Sequence, residues 1–211
     1  MQWTLVVPVK ALDRAKSRLS DTADGLRPGL ALAFAQDTVA AALACPAVRE
    51  VAVVTDDARA GRALARLGAR IVDDEPGGGL NAALAHAAAV VRHRHPGAPV
   101  AALNADLPAL RPAELARVLD AAAEFPRAFL PDAAHIGTTL LSAAPGHALR
   151  PSFGGDSRAR HRASGAVELC LAAVDSVRRD VDTGGDLREA LALGVGPRTA
   201  EVATRLLIPG Q

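Results

Sequence analysis

Apolar runs of strand length alternate along this chain with segments whose apolar residues recur every three or four positions, the pattern of a layered α/β domain. Residues 3–9 (WTLVVPV) are almost continuously apolar, which suits a strand covered on both faces. A helix is predicted from about Pro28 to Cys45, where Pro46 stops it. Residues 51–55 (VAVVT) give the next strand, followed by an Ala/Arg/Leu helix ending at Gly68 and a short strand at 70–72. After Gly77-Gly78-Gly79, the residues Leu80, Leu84, Ala87 and Val91 fall at helical spacing. Residues 100–103 form another strand leading directly to Asp106, and Pro112 opens a helix with the stripe Leu115, Val118, Leu119 and Ala122.

The second half is less regular. Residues 129–130 and 138–141 have strand character, and SFGGDSRARHRASG is a polar, glycine-bearing loop entering a short basic helix. Residues 167–172 and 177–181 are predicted as two further strands, the second delivering Asp182 at its end. On a strand, Asp180 and Asp182 would share a face. Thr183 caps the next helix with Asp186 in the capping-box position, and Leu187, Ala190 and Leu191 face inward. No internal repeat or long linker divides the chain, so residues 1–211 are expected to form one domain.

Composition narrows the functions available. Half of the residues are apolar, which excludes a disordered chain, and no apolar run has the length of a membrane helix. The start, MQWTLVVPVK, becomes charged too early for a signal peptide, so a cytoplasmic protein is expected. A net charge of +1 excludes a general polyanion binder. With five aromatic residues and no tyrosine, base stacking on single strands is not expected, and nucleic acid is not a predicted partner. Cys45 and Cys170 lack metal-ligand spacing and are expected to be small buried hydrophobes.

Three features carry chemistry. The loop VVPVKALDRAKSRL supplies Lys10, Arg14, Lys16 and Arg18 straight after the first strand, where a sheet opens onto a cleft. Asp106 lies in NADLPAL and Asp182 in RRDVDTGGDL. Nucleotidyl transfer needs charge clamps on a triphosphate and metal ions that neutralise developing charge. Lys10 with Lys16 or Arg18 would contact the β- and γ-phosphates, while Asp106 and Asp182 would hold magnesium. Structural alternatives remain open at this level: solvated cations in the loop, a turn or helix cap for Asp106, and a cap for Asp182, although Thr183 can fill that last role.

The succession VVPVKALDRAKSRLS, GGGLNAAL, NADLPAL, GTTLL, FGGDSRARH and DVDTGGDL closely resembles the 2-phospholactate and phosphoenolpyruvate guanylyltransferases of coenzyme F-420 biosynthesis. The resemblance spans nearly the whole chain. It implies a nucleotide-diphospho-sugar transferase fold of the glycosyltransferase-A type: an α/β, mixed, mostly parallel sheet flanked by helices. It also implies GTP as donor, a small phosphorylated acid as acceptor, and metal carboxylates at Asp106 and Asp182. Carried over by position, the acceptor site comprises Thr139, Gly154 and Ser157. Thr138 and Thr139 alternate faces on a strand, so one of them reaches the pocket, and the resemblance favours Thr139. Gly154 and Gly155 permit close backbone approach, and a helix starting at Asp156 or Ser157 would offer N–H groups to an anion. The run Arg158, Arg160, His161, Arg162 could hold phosphate or be a solvated helix face. Asn81 is the candidate guanine or ribose contact, with Thr55 and Asp56 as further nucleotide candidates.

A phosphate monoester, with its second pKa of about 6, is already ionised near neutral pH, so no general base is required. That agrees with the scatter of the six histidines; His86, His93 and His95 are expected on a helix surface. The acceptor favoured is phosphoenolpyruvate, on the actinobacterial cast of an Ala-, Arg-, Gly- and Pro-rich composition, with 2-phospholactate or 3-phosphoglycerate as alternatives. A molybdenum-cofactor-type nucleotidyltransferase and a glycosyltransferase share the carboxylate logic. A non-catalytic nucleotide binder would not need Lys10, Asp106 and Asp182 together. A homodimer is kept as the candidate assembly.

Overall fold

In the computed structural model, residues 1–12, 27–74 and 78–207 are described. Among them seven strands form one sheet in the order β3-β2-β1-β4-β6-β5-β7. Strand β1 (Trp3–Pro8) runs parallel to β2 (Val48–Thr55) on one side and β4 (Val100–Leu103) on the other. β2 continues in parallel to β3 (Arg70–Asp73). The sheet turns mixed at β6 (Thr138–Ala143), antiparallel to both β4 and β5 (Arg127–Pro131), while β5 pairs in parallel with β7 (Val167–Glu168).

The apolar run of β1 is explained by layers on both faces. Leu5, Val7, Val51, Val53 and Leu103 pack on one side. There they meet Ala35 and Val39 of α1 (Arg27–Leu43), Leu64 of α2 (Ala58–Ala65), and Leu115 and Val118 of α4 (Pro112–Ala122). Val6, Ala52, Val54, Ala102 and Leu141 face the opposite layer, covered by Leu84, Ala87 and Val91 of α3 (Gly79–Arg94). The strand period of two thus divides one sequence between two cores. Burying each of these valines and leucines stabilises by roughly 1.5–3 kcal/mol, which holds the sheet rigid beneath the loops it carries.

A third cluster ties the C-terminal part to this scaffold. Leu30 and Phe34 of α1 pack with Val181, and with Leu187 and Ala190 of α7 (Gly184–Leu193). Helix α8 (Pro197–Leu207) is anchored by the buried Asp37, whose carboxylate accepts from the N–H groups of Thr199 at 2.7 Å and Arg198 at 3.3 Å. The short helix α5 (Ser157–Ala163) precedes β7, and one turn, α6 (Asp175–Arg178), follows it.

Two strand predictions are corrected. The predicted strand 167–172 pairs only over Val167–Glu168; beyond it Arg117 draws the carbonyls of Ala172 and Ala173 to its guanidinium, at 3.0 and 2.8 Å. Residues 177–181 are no strand: Asp175–Arg178 is helical. Ser176 is bound through its N–H and hydroxyl to Glu114, at 2.9 and 2.8 Å. The buried Arg178 donates to the carbonyls of Pro131, Leu169 and Leu171. Val177 is buried within this turn, while the buried Val174 and Val181 flank it. Cys45 is buried as expected, whereas Cys170 is exposed.

Candidate active site

The carboxyl ends of β1 and β4 and the start of β6 open onto one cavity of about 710 Å³. Its acidic wall contains Asp106, Asp180 and Asp182. Their meeting is built into the backbone: the N–H of Val181 donates to the carbonyl of Asp106 at 3.0 Å. The Asp106 turn is itself gripped by Thr38 of α1. The buried Thr38 hydroxyl shares its proton between the carbonyls of Phe34 at 2.8 Å and Ala105 at 3.1 Å, and accepts from the N–H of Leu107 at 3.0 Å. Asp182 follows this tether directly, and α7 then starts with Thr183 and Asp186 in the predicted capping box. Thr38 went unnoticed in the sequence, because a threonine on an apolar helix face carries no signal of the loop it will meet.

Lys10 is exposed and lines the same cavity. The chain leading to it is held by the N–H of Val9 on Val54 at 2.9 Å, and the chain beyond it by the N–H of Leu12 on the Asp57 carboxylate at 2.9 Å. Asp57 also accepts the Arg59 and Ala60 N–H groups that open α2. Burial pushes its carboxyl up, but the three backbone donors outweigh that and hold it below the usual range. Lys16 and Arg18, like Arg14, lie outside the described residues. Thr55 is buried, with its hydroxyl accepting from Asp57, and neither Thr55 nor Asp56 lines the cavity.

The third wall is formed by the FGGDS loop and the turn before β6, with Ile136, Gly137, Gly154, Gly155, Asp156 and Ser157 facing the cavity. Asp132 accepts from Ile136 and Gly137 N–H groups at 3.0 and 2.8 Å. A Cβ on Gly137 would stand 2.5 Å from that carboxylate, so the turn requires glycine. Gly154 and Gly155 take φ values of 94° and 46°, the left-handed region that other residues avoid. Beneath the loop, the buried Arg127 donates to the carbonyls of Leu149 and Ser164 at 3.0 and 2.9 Å.

Several site expectations land elsewhere. Thr138, not Thr139, lines the cavity; Thr139 is fully buried in the sheet. Asn81 is not among the lining residues. Its side chain accepts from the Phe153 N–H at 2.7 Å and donates to the Phe153 carbonyl at 3.1 Å, so its amide clamps the FGGDS loop. The start of α5 does not present a row of open N–H groups: Ser157 donates to Gly155 at 2.8 Å and Arg158 to Ile136 at 3.1 Å. Ser157 itself is buried and lines the cavity. The basic run is engaged in structure: Arg158 and Arg162 pair with Glu168, and Arg160 holds the carbonyls of Ser152 and Gly154. His161 is buried.

The donor set fits a magnesium ion that also binds phosphate. Among the described residues no group of three or more His, Cys, Asp or Glu side chains is arranged to hold a metal ion. Magnesium usually takes one or two carboxylates, completing its shell with substrate phosphates and water. Asp106 and Asp182, with Asp180 among the same lining residues, are carboxylates of the kind such an ion would use.

Comparison with known proteins agrees with this architecture. The family model described as guanylyl transferase, CofC like, matches residues 3–209. The phosphoenolpyruvate guanylyltransferase of Streptomyces coelicolor is 84% identical over 212 residues, covering 100% of both chains. Among solved structures, a nucleotidyl transferase from Methanothermobacter thermautotroptrophicus superposes with a TM-score of 0.62 at 22% identity, over 91% of this chain and 97% of that one. A Mycobacterium tuberculosis H37Rv protein in complex with manganese gives a TM-score of 0.55 at 24% identity, over 91% and 99%. These last two speak for the fold.

Proposed function

The chain belongs to the family of CofC-like guanylyl transferases, and on that premise we propose that it transfers GMP from GTP to phosphoenolpyruvate. It is a nucleotidyltransferase. The observation that carries the proposal is the meeting of Lys10, the Asp106–Asp182 wall and the glycine-bearing FGGDS wall around one cavity. Cation, carboxylates and a close-approach backbone surface are the three demands of joining a triphosphate to a small phosphorylated acid.

A phosphate oxygen of the acid attacks the α-phosphorus of GTP, and the bond to the β-phosphate bridge breaks, releasing pyrophosphate with its electron pair. The product is enolpyruvoyl-2-diphospho-5'-guanosine. With the attacking oxygen already ionised, no residue need remove a proton. Lys10, with Lys16 and Arg18 of the following segment, is assigned to the triphosphate and the departing pyrophosphate. Gly154 and Ser157 are assigned to the acid, held so that its phosphate lies in line with the α-phosphorus. Asp106 and Asp182 would hold the divalent ion, magnesium by the chemistry of their oxygens. When bound, that ion supplies neutralisation of phosphate charge. No helix of the described residues is long and apolar enough to cross a membrane, and the two substrates assign the enzyme to the cytoplasm.

The test is pyrophosphate release from GTP with magnesium and phosphoenolpyruvate, with 2-phospholactate in competition at equal concentration and products distinguished by mass. The enolpyruvyl product should predominate. A difference confined to one carbon centre is worth about 1–3 kcal/mol, so a minor lactyl product is compatible. A predominant lactyl product would overturn the acceptor, and activity only on a pterin phosphate or nucleotide sugar would overturn the proposal.

A further inference from the structure

The buried imidazole of His161 stands immediately behind the acid-facing wall. Its Nδ1 lies 2.9 Å from the Thr138 hydroxyl, and its Nε2 lies 2.9 Å from the backbone N–H of Ser152. The ring is held between Phe129, with centroids 5.8 Å apart, and Phe153, edge-on at 5.0 Å. Phe153 is in turn the residue clamped by Asn81. Thr138 lines the cavity next to Gly137, whose Cβ position is 3.8 Å from the Ser157 hydroxyl.

We infer that His161 is a positioning residue for the reaction, which fixes the direction of the Thr138 hydroxyl proton so that Thr138 donates to the phosphorylated acid in the cavity. The inference rests on the assignment of this wall to the acid. A backbone N–H can only donate, so Nε2 must be the acceptor and the proton of the neutral ring must sit on Nδ1. Nδ1–H then donates to Thr138 Oγ1. The Thr138 proton has no acceptor on the ring, so the hydroxyl keeps its donor for the anionic acid. Burial, with the charges of Arg127 and Arg160 behind it, keeps the ring neutral, with its pKa lowered to about 4. In the sequence His161 reads as one residue of a basic run, because its partners lie on β6 and in the FGGDS approach.

Two measurements decide it. Long-range proton–nitrogen NMR of the intact, histidine-labelled protein at neutral pH should show the Nδ1–H tautomer for His161; an Nε2–H tautomer or an imidazolium overturns the inference. In steady-state kinetics, Thr138→Val should raise the Michaelis constant for phosphoenolpyruvate about ten- to a hundredfold, the loss expected for a hydrogen bond to a charged group, with that for GTP unchanged. Thr138→Ser should restore it, and His161→Asn, whose amide nitrogen can stand at the Nδ1 position, should retain more affinity for the acid than His161→Leu. Ser157→Ala serves as the reference. If it raises the constant for the acid while Thr138→Val does not, the wall belongs to the acid and the inference about His161 fails. If both raise only the constant for GTP, the assignment of the wall fails with it.

Discussion

Asn81→Ala separates a nucleotide contact from a structural clamp. The substitution removes an amide that makes two hydrogen bonds to Phe153, at 2.7 and 3.1 Å, on the approach to Gly154. Phe153 is 7% exposed, so water can replace the lost partners only in part. Each bond contributes about 1 kcal/mol net, and more where a buried group is left unsatisfied, so the pair amounts to roughly 2–3 kcal/mol. For a chain of this size that lowers the melting temperature by about 4–12 °C. The same loss frees the FGGDS loop to leave the cavity wall. The Michaelis constant for phosphoenolpyruvate should therefore rise while that for GTP changes little. Differential scanning calorimetry and two-substrate kinetics on one preparation measure both effects. An Asn81→Ala protein with unaltered melting temperature and a raised constant for GTP would refute the clamp and return Asn81 to the nucleotide.

Three further outcomes are expected. Asp106→Asn should reduce turnover by about a thousandfold or more with the fold retained by circular dichroism, because a metal carboxylate contributes several kcal/mol to transition-state stabilisation; near-normal activity would remove Asp106 from the metal site. Ser157→Ala should raise the constant for the acid about ten- to a hundredfold and leave that for GTP in place. Stability should fall as pH drops from about 6.5 towards the His161 pKa of about 4, because the unfolded chain takes up a proton there that the buried ring refuses. Urea titrations should show His161 contributing a slope of up to about 1.4 kcal/mol per pH unit in that window and none above it, a contribution lost in His161→Phe. An identical pH profile for parent and variant would contradict the buried neutral ring.

Period and punctuation in the sequence carried the parallel half of the sheet. The runs 3–9, 51–55 and 100–103 hold strands β1, β2 and β4 because their apolar side chains must be buried on two faces, and the intervening Ala- and Leu-rich stripes supply the covering layers. Residue chemistry likewise pointed to Lys10, Asp106 and Asp182, and the family resemblance to Gly154 and Ser157, all of which line one cavity. Asp180 and Asp182 share that cavity although the strand expected to align them does not exist; the tether from Val181 to Asp106 does so instead. Residues whose role depends on a distant partner were not legible. Asn81 meets Phe153, Thr38 meets the Asp106 turn, and His161 meets Thr138 only after packing of the sheet and helices brings separate segments within hydrogen-bonding distance. Local pattern specifies which face of an element is apolar, a property of a few neighbouring residues. Whether Thr138 or Thr139 faces the cavity depends on the register of β6 between β4 and β5, and that is set by the packing of the whole sheet.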